Sequence, residues 1–389
     1  MSFMLYIPTR TLFGRGELNN LHKLPMPGKK AMLVISNGKA TRTNGYLART
    51  EEQLREANVE WSVFDKVEPN PLKSTVMEGG AFARENDCDF IVALGGGSVM
   101  DAAKGIAIVA ANDGDLWDYV QMGTGGKKPF ERRPLPIVAI TTTAGTGSEI
   151  DAGGVITNAE TNEKTAVLGE ELFPVIAVVD AELMTSVPPL FTAYQGFDAL
   201  FHSVEGYIAN KANLYSDMVG STAIRNVSEF LPIAVRDGKN LEARDRVAFG
   251  SYLSGIEMSV GSVSSQHSLE HAMSAFHQEL PHGAGLIMLS CAYFNFFIKK
   301  RVCDERFIEL AHLMGMPEAE KPEDFITALM ELQRACGVAD LKMSDFGITP
   351  EEFEKMAANA QDAMSFCFSC DRYPLTKTDC VEIYKAAFK

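Results

Sequence analysis

The chain has 389 residues, of which 46% are hydrophobic and 22% charged, and these values are typical of a globular protein with two domains. Its formal net charge of −15 disfavours nucleic acid and anionic membranes as partners, because both would repel it. No apolar run approaches the roughly 20 residues that cross a bilayer, and Met1–Arg10 lacks the order of a secretory signal. The seven cysteines are scattered and odd in number, which does not indicate a disulfide framework. We therefore expect a cytoplasmic protein with no nucleic-acid or membrane partner.

The first half of the chain alternates short apolar runs with helical patterns. A buried strand is predicted at Ala31–Ser36, and further strands are predicted at Val59–Phe64, Asp89–Leu94, Leu135–Ile140 and Val175–Val179. Helices are predicted around Glu51–Ala57 and over Thr75–Asn86. Continuous apolar strands that alternate with helices indicate an α/β domain whose parallel sheet is covered on both faces.

The character of the sequence changes after Pro188 and Pro189, which mark a plausible junction. From there on, helical periodicity dominates, as in Thr222–Leu231 and Asp324–Cys336. We therefore predict an α/β nucleotide-binding domain over residues 1–188 and an all-α domain over residues 189–389.

A glycine-rich turn is the sharpest local signal of the first half. Gly95-Gly96-Gly97-Ser98 follows a predicted strand and opens a helix that runs to about Ala111. Glycines allow a ligand to approach the backbone closely, and the start of a helix offers free N–H groups to an anion such as a pyrophosphate. The turn differs from the G-x-G-x-x-G fingerprint, so a standard Rossmann site is not predicted. A tight turn without a ligand is the alternative, although three successive glycines are an unusual way to build one.

A second polar turn with glycines, Thr141–Glu149, follows the strand that ends at Ile140. Such loops are common, and alone this one is a weak signal. Two turns at the carboxyl ends of parallel strands, however, suggest a dinucleotide that lies across the edge of the sheet.

Four of the seven histidines lie close together, at His267, His271, His277 and His282. Upstream, Asp198 and His202 are spaced i, i+4, which places both on one face of a predicted helix, Gly196–Ala209. Imidazole and carboxylate groups from separate elements suit Zn²⁺ or Fe²⁺. Any single histidine is more often a hydrogen-bonded core or surface residue, but the cluster as a whole favours a metal site.

These motifs, in this order, resemble the iron-containing (group III) alcohol dehydrogenase family over essentially the whole chain. The likeness is carried by Pro69-Asn70-Pro71, the turn at Gly95–Ser98, Thr142–Glu149, Gly196–His202, the pair His267 and His271, and Pro281-His282-Gly283. The resemblance implies a hydride transfer between a small primary alcohol or aldehyde and NAD(P), with Fe²⁺ or Zn²⁺ acting as a Lewis acid on the alcohol oxygen. It also implies that the metal lies in the cleft between the two domains and that the protein is a homodimer or a higher homo-oligomer.

The resemblance also implies roles for individual residues. The four metal ligands would be Asp198, His202, His267 and His282, and His271 would be the catalytic residue beside the nicotinamide and the substrate. The cofactor would contact the pyrophosphate turn of Gly96, Gly97 and Ser98, then Asp101 just beyond it, and Thr141, Thr142 and Thr146 in the second turn. Lys164 resembles a family lysine near the ribose, and an exposed hairpin lysine is an equally good interpretation.

The chain departs from the family pattern at several positions. Ten residues separate His271 from His282, one more than expected, and His277 within that stretch has no family role. His277 is predicted to be a surface residue, with a substrate-pocket group as the alternative. Gly153 stands where several relatives carry asparagine, and Cys367 and Cys370 are predicted to be ordinary thiols despite their C-x-x-C spacing.

Cofactor preference depends on the end of the first predicted strand, at Asn37 and Gly38. NAD-preferring relatives tend to have an aspartate near position 37, which binds the ribose hydroxyls and repels a 2′-phosphate. Asn37 is neutral here, and Lys39 and Arg42 are near in sequence. We therefore predict a preference for NADP, with NAD as the alternative.

Three other functions remain open from the sequence. A glycerol-dehydrogenase-like polyol dehydrogenase would use zinc and three ligands, whereas this chain offers four candidates. A lyase of the dehydroquinate-synthase type shares the general architecture but would not turn over simple alcohols. A non-catalytic nucleotide- or metal-binding protein would have no chemical need for the complete set of five residues, Asp198, His202, His267, His271 and His282.

Overall fold

A computed structural model describes residues 3–389 of the chain. They form two compact units. The first consists of Tyr6–Thr143 and Gly147–Ser186, and the second consists of Ala144–Thr146, Val187–Lys389 and residues 3–5. Within residues 3–389, no helix combines the length and the apolar character that crossing a bilayer requires.

The strands of the described chain all lie in the first unit. They are β1 (Arg10–Phe13), β2 (Lys30–Ser36), β3 (Glu60–Val67), β4 (Phe90–Gly95), β5 (Ile137–Thr141), β6 (Gly153–Asn158), β7 (Glu163–Leu168) and β8 (Ile176–Val179). Six of them form one parallel sheet in the order β1-β8-β5-β4-β2-β3. The remaining two, β6 and β7, pair as an antiparallel hairpin.

The helices of the first unit are α1 (Ala40–Thr43), α2 (Tyr46–Glu56), α3 (Lys73–Glu85) and α4 (Gly97–Ala111). Residues of β2 explain why the sheet is covered on both faces. Leu33 and Ile35 belong to one apolar cluster, and Met32 and Val34 belong to another. Successive side chains of a strand point to opposite faces, so a strand buried on both faces is apolar at every position. The predicted α/β class with a parallel sheet is therefore confirmed.

The second unit is mostly helical, as predicted. From residue 189 onwards the described chain forms helices and short 3-10 turns and contains no strand. The helices are α5 (Pro189–Ile208), α6 (Leu214–Arg236), α7 (Leu241–Gly261), α8 (Ser265–Phe276), α9 (His282–Lys300), α10 (Asp304–Leu313), α11 (Glu323–Ala335), α12 (Phe353–Ala363), α13 (Ser365–Ser369) and α14 (Lys377–Ala387).

Candidate functional site

Three imidazoles of the helical unit converge on one carboxylate oxygen, and we call the four residues together the Asp198 cluster: Asp198, His202, His267 and His282. Asp198 and His202 lie one turn apart on α5, while His267 comes from α8 and His282 begins α9. The Nε2 atoms of His202, His267 and His282 lie 3.6, 3.5 and 3.4 Å from Oδ1 of Asp198. The structure therefore brings together the four residues that the sequence offers as metal ligands.

Two further carboxylates form hydrogen bonds with imidazoles of the Asp198 cluster, on the ring atom that does not face Asp198. Nδ1 of His267 forms a hydrogen bond with Glu205, and Nδ1 of His282 forms one with Glu270. Both glutamates are fully buried. Each ring therefore has its Nδ1 atom engaged and its Nε2 atom directed at Asp198, an arrangement typical of histidines that bind a metal.

Burial and neighbouring charges set the ionisation of the Asp198 cluster. Burial opposes the ionisation of Asp198, but the imidazoles of His202 and His282 outweigh it and hold the pKa of the carboxyl well below its usual range. Burial lowers the pKa of His202 to about 3, so its ring is neutral at pH 7 and can offer a lone pair. Burial also opposes protonation of His267, yet Glu205 and Asp198 raise its pKa to about 10. A divalent cation that binds here would displace that proton, because a ligating imidazole must be neutral.

The residues present fit a divalent transition metal. Oδ1 of Asp198 and Nε2 of His267 are buried and have no hydrogen-bond partner within the described residues. Leaving a buried polar atom unsatisfied costs about 1–3 kcal/mol, and coordination to a cation would remove this cost. Ligand atoms of Asp198, His267 and His282 all lie within 4.8 Å of one another. Three imidazoles and one carboxylate form a donor set that suits Zn²⁺ and Fe²⁺.

His271 lies on α8 one turn beyond His267 and is buried beside the Asp198 cluster. Its ring centroid is 5.3 Å from that of His282 and 6.4 Å from that of His267. Ligand atoms of Glu270, His271 and His282 also lie within 4.8 Å of one another. Because Glu270 engages Nδ1 of His282, this second group is better described as support for His282 with His271 next to it.

His277, which the sequence leaves unassigned, lies outside the Asp198 cluster. It follows α8 directly, and its Nε2 atom forms hydrogen bonds of 3.1 and 3.2 Å with the carboxylate of Glu352. The side chain is only 17% exposed, so His277 is a partly buried partner of an acidic residue rather than a plain surface histidine.

In the first unit, the two glycine-bearing turns meet at the carboxyl ends of β4 and β5. Gly95 and Thr141 are partners in the sheet, and the N–H group of Thr142 donates to the carbonyl of Gly95 over 2.9 Å. A Cβ atom on Gly96 would lie 2.9 Å from side-chain atoms of Thr143, which is too close for any other residue without a shift. The absence of a side chain at Gly96 therefore allows the turns to pack together.

Gly97 and Ser98 form the first turn of α4, directly after Gly96. The first N–H groups of a helix have no partner within the helix and can bind an anion, so the place of these residues fits the predicted anion site. Asn37 and Gly38 follow β2, the neighbour of β4, and both are exposed. Thr146 belongs to the helical unit, whereas Thr141 and Thr142 belong to the first unit.

Asp101 takes part in a buried polar network that the sequence analysis missed. Its Oδ1 atom accepts a hydrogen bond of 2.8 Å from Ser148 Oγ. Burial raises the pKa of Asp101 to about 7, with Lys104 acting against this shift and Asp151 adding to it. The ammonium of Lys104 is fully buried and donates to Ser148, to Asp151 and to the carbonyl of Gly153 at 2.6–2.9 Å. Lys104 thus ties α4 to the end of the second turn.

Lys164 lies in the hairpin of β6 and β7, and it is 4% exposed rather than solvent-accessible. Its Nζ atom donates to Oδ1 of Asn70 over 3.0 Å. Asn70 is the central residue of the Pro69–Pro71 motif and has a left-handed backbone with φ of 52°. Two motifs that the sequence treats separately are therefore in contact, and Lys164 is not an exposed hairpin lysine.

The functional residues that sequence reasoning missed carry a recognisable signal. Glu205 lies three residues after His202, and Glu270 lies three residues after His267. Residues at this spacing are neighbours on one helix face. A search for carboxylates one turn away from the candidate histidines would have found both.

Both the sequence and the fold are similar to those of known proteins. Residues 8–181 match the iron-containing alcohol dehydrogenase family, and residues 192–388 match the C-terminal part of the Fe-containing alcohol dehydrogenase family. The chain is 33% identical to the NAD-dependent methanol dehydrogenase of Bacillus methanolicus, over 98% of this chain and 99% of that protein. It is 36% identical to the 1,3-propanediol dehydrogenase of Klebsiella pneumoniae, over 92% and 93% of the two chains. The crystal structure of ADH/D1, an archaeal halo-thermophilic alcohol dehydrogenase from a Red Sea brine pool, has a TM-score of 0.94 at 30% identity and covers 100% of this chain and 99% of its own.

Proposed function

Since the chain belongs to the iron-containing alcohol dehydrogenase family, we propose that it transfers a hydride between a small primary alcohol or aldehyde and a nicotinamide dinucleotide. The Asp198 cluster is the observation that carries the proposal, because its three imidazoles and one carboxylate can hold a divalent cation that would act as a Lewis acid in such a reaction. The names of two relatives support a short primary alcohol as the substrate, since one acts on methanol and the other on 1,3-propanediol.

In this proposal, Asp198, His202, His267 and His282 hold Fe²⁺ or Zn²⁺. A divalent cation bound there supplies Lewis acidity, which polarises a carbonyl and lowers the pKa of an alcohol. His271 is left over from the ligand set, and it relays a proton or shapes the substrate pocket. Its burial and its place 5.3 Å from the ring of His282 support either role.

The glycine-rich turns hold the dinucleotide in this proposal. Gly96, Gly97 and Ser98 bind the pyrophosphate at the start of α4, where backbone N–H groups and the helix dipole favour an anion. Asp101 contributes by positioning the second turn, because its carboxylate accepts a hydrogen bond from Ser148. Thr141, Thr142 and Thr146 line the cofactor, and Lys164, with its contact to Asn70, lies near the ribose.

We propose a preference for NADP over NAD. Asn37 is exposed after β2 and carries no charge that would repel a 2′-phosphate. Arg42, which the sequence suggests as a second cation, forms an ion pair of 2.7 Å with Asp65, so the exposed Lys39 is the better partner for a phosphate. The methanol dehydrogenase relative is NAD-dependent by name, so a preference for NADP would distinguish this chain from that relative.

The proposal also includes a cytoplasmic location and a homodimer or higher homo-oligomer. All seven cysteines are free thiols, which is compatible with a reducing compartment. The oligomeric state rests on the family resemblance, and light scattering of the purified protein measures it.

The experiment that tests the proposal begins with anaerobic purification and measurement of the bound metal. NADPH and NADH oxidation are then assayed with a panel of short aldehydes, before and after chelation and after return of Fe²⁺ or Zn²⁺. We expect oxidation that is lost on chelation, restored by metal and faster with NADPH. Metal-loaded protein that turns over no aldehyde or alcohol with either cofactor would contradict the proposal.

A further inference from the structure

Glu205 and Glu270 are two fully buried carboxylates that the ligand set does not use. A buried carboxylate is costly unless a charged or hydrogen-bonding partner compensates it. Each of these glutamates has the Nδ1 atom of a candidate metal ligand as its partner, His267 for Glu205 and His282 for Glu270. The two pairs repeat the same arrangement on different helices.

Glu205 is itself held by a buried hydrogen-bond network. Its Oε2 atom accepts hydrogen bonds from the N–H group of Ser264 at 2.8 Å and from the hydroxyl of Ser264 at 3.0 Å. That hydroxyl lies 3.0 Å from the hydroxyl of Tyr293, which donates to Oδ1 of Asp371 over 3.2 Å. Glu205 therefore has a fixed position before any cation binds, and so does the ring of His267.

The side chain of Glu270 fits where it lies because the residue opposite it is a glycine. A Cβ atom on Gly285, in the first turn of α9, would lie 2.6 Å from Cγ of Glu270. No side chain other than hydrogen fits there without displacing the glutamate. The start of α9 thus supplies both His282 and the space for the carboxylate that holds it.

We propose that Glu205 and Glu270 are positioning residues of the metal centre, which hold the rings of His267 and His282 with Nε2 directed at the cation. This inference rests on the proposed function, because it requires the Asp198 cluster to bind a metal. A ring that coordinates through Nε2 keeps its proton on Nδ1, and a carboxylate partner stabilises that tautomer and makes the ring a stronger ligand. The two glutamates also add negative charge beside the cation without coordinating it.

The test measures metal affinity and coordination rather than turnover. Full-length wild-type protein and the variants Glu205→Gln and Glu270→Gln are stripped of metal and titrated with Zn²⁺ against a chromophoric chelator. Glutamine keeps the shape and an acceptor oxygen but removes the charge. We expect the Kd for Zn²⁺ to rise by about 10–100-fold in each variant, as is typical when such a partner of a ligating histidine is lost. Absorption spectra with Co²⁺ should change as well, since they report the geometry around the ion.

Glu257→Gln is the matched control. Glu257 is fully buried on α7 in the same unit, and neither of its carboxylate oxygens has a hydrogen-bond partner within the described chain. Burial raises the pKa of Glu257 well above its usual range, so a neutral glutamine resembles its native state. Its variant should bind Zn²⁺ with the wild-type Kd and give the wild-type Co²⁺ spectrum.

The outcomes separate this inference from the proposed function. Wild-type Kd values and Co²⁺ spectra in both Glu205→Gln and Glu270→Gln would overturn the positioning role while the metal site stands. A wild-type protein that binds neither Zn²⁺ nor Co²⁺ would overturn the proposed function and this inference with it. If Glu205→Gln does not fold, Glu270→Gln and Ser264→Ala decide the question. The latter removes a hydroxyl that donates to Oε2 of Glu205 without touching an imidazole, and it should change the Co²⁺ spectrum.

Discussion

The Nε2 atom of His282 lies 3.4 Å from Oδ1 of Asp198, although one residue begins α9 and the other lies in the middle of α5. The same oxygen is 3.5 Å from Nε2 of His267. Three helices therefore have to be in register for one carboxylate oxygen to face three imidazoles. The ten residues between His271 and His282 therefore still allow His282 to reach Asp198.

Replacing His282 should remove the metal, whereas replacing His277 should not. In His282→Ala the Asp198 cluster loses one of its four proposed ligands, so metal affinity should fall by more than the roughly 10–100-fold that loss of an outer hydrogen-bond partner costs. His277→Ala removes only the contact with Glu352. Metal content by mass spectrometry and aldehyde turnover check both variants. Equal metal content in the two would contradict the assignment of His282.

His271→Ala should lower turnover without changing the bound metal. His271 lies beside the Asp198 cluster but is not one of the four proposed ligands. Loss of a group that transfers protons typically costs 10²–10⁴-fold in rate, so we expect a fall of about that size in kcat. Loss of metal from this variant would instead make His271 a ligand.

Gly96→Ala should weaken cofactor binding and destabilise the first unit. The new methyl group would lie 2.9 Å from the side chain of Thr143, and such overpacking costs about 1–3 kcal/mol. The overpacking should lower the free energy of unfolding by about that amount, and the Kd for NADPH should rise because the turn has to shift; urea unfolding and NADPH fluorescence measure the two effects. In a Thr143→Ala background the clash disappears, so the same glycine substitution should have a much smaller effect. An equally large effect in that background would refute the steric explanation.

Asn37→Asp should shift the preference from NADPH towards NADH. A carboxylate at this position repels the 2′-phosphate and binds the ribose hydroxyls of NADH. Because like charges placed together cost several kcal/mol, the ratio of kcat/KM values should change by roughly tenfold or more. Asn37→Ala is the control and should leave the ratio nearer to the wild type. An unchanged ratio of kcat/KM values in Asn37→Asp would mean that another residue distinguishes NADPH from NADH.

Lys104→Met should destabilise the protein strongly. The substitution leaves Asp151 and Asp101 without the ammonium that faces them, and breaking a buried ion pair costs about 3–5 kcal/mol. Lys66→Met removes an exposed ion pair with Glu78 and should cost no more than about 1 kcal/mol. Urea unfolding of both variants measures the difference. Similar free energies of unfolding would contradict the structural role of Lys104.

Much of the fold is predictable because its pattern is local. The five predicted strands are confirmed, with ends that shift by a few residues. Four of them are almost fully buried and therefore apolar nearly throughout, whereas β3 is an edge strand with exposed positions. β1 was missed because the short segment Arg10–Phe13 is an edge strand with no buried residue. A hairpin is considered at Lys164, but the strands β6 and β7 are not predicted, because β6 begins with Gly153 and Gly154 and glycine argues against a strand. Gly154 is explained only in three dimensions, where a Cβ atom would lie 3.0 Å from the carbonyl oxygen of Asp101.

The candidate site is predictable only in part. Helical spacing joins Asp198 to His202 and His267 to His271, but it cannot say that α5, α8 and α9 direct these residues at one point. The buried partners Glu205 and Glu270 depend on that packing. The role of Lys104 is harder to predict, because a lysine within an apolar helix does not reveal that four oxygen atoms accept hydrogen bonds from it at 2.6–2.9 Å in the folded protein.

The central claim is that a metal-dependent hydride transfer joins a primary alcohol to a nicotinamide, and isotope transfer tests it most directly. Protein loaded with Fe²⁺ or Zn²⁺ is incubated with a short alcohol that carries deuterium at C1, together with NADP or NAD. Mass spectrometry of the reduced cofactor should find one deuterium per nicotinamide with the loaded protein and none after chelation. Metal-loaded protein that transfers no deuterium to either cofactor across the panel of short alcohols would contradict the account.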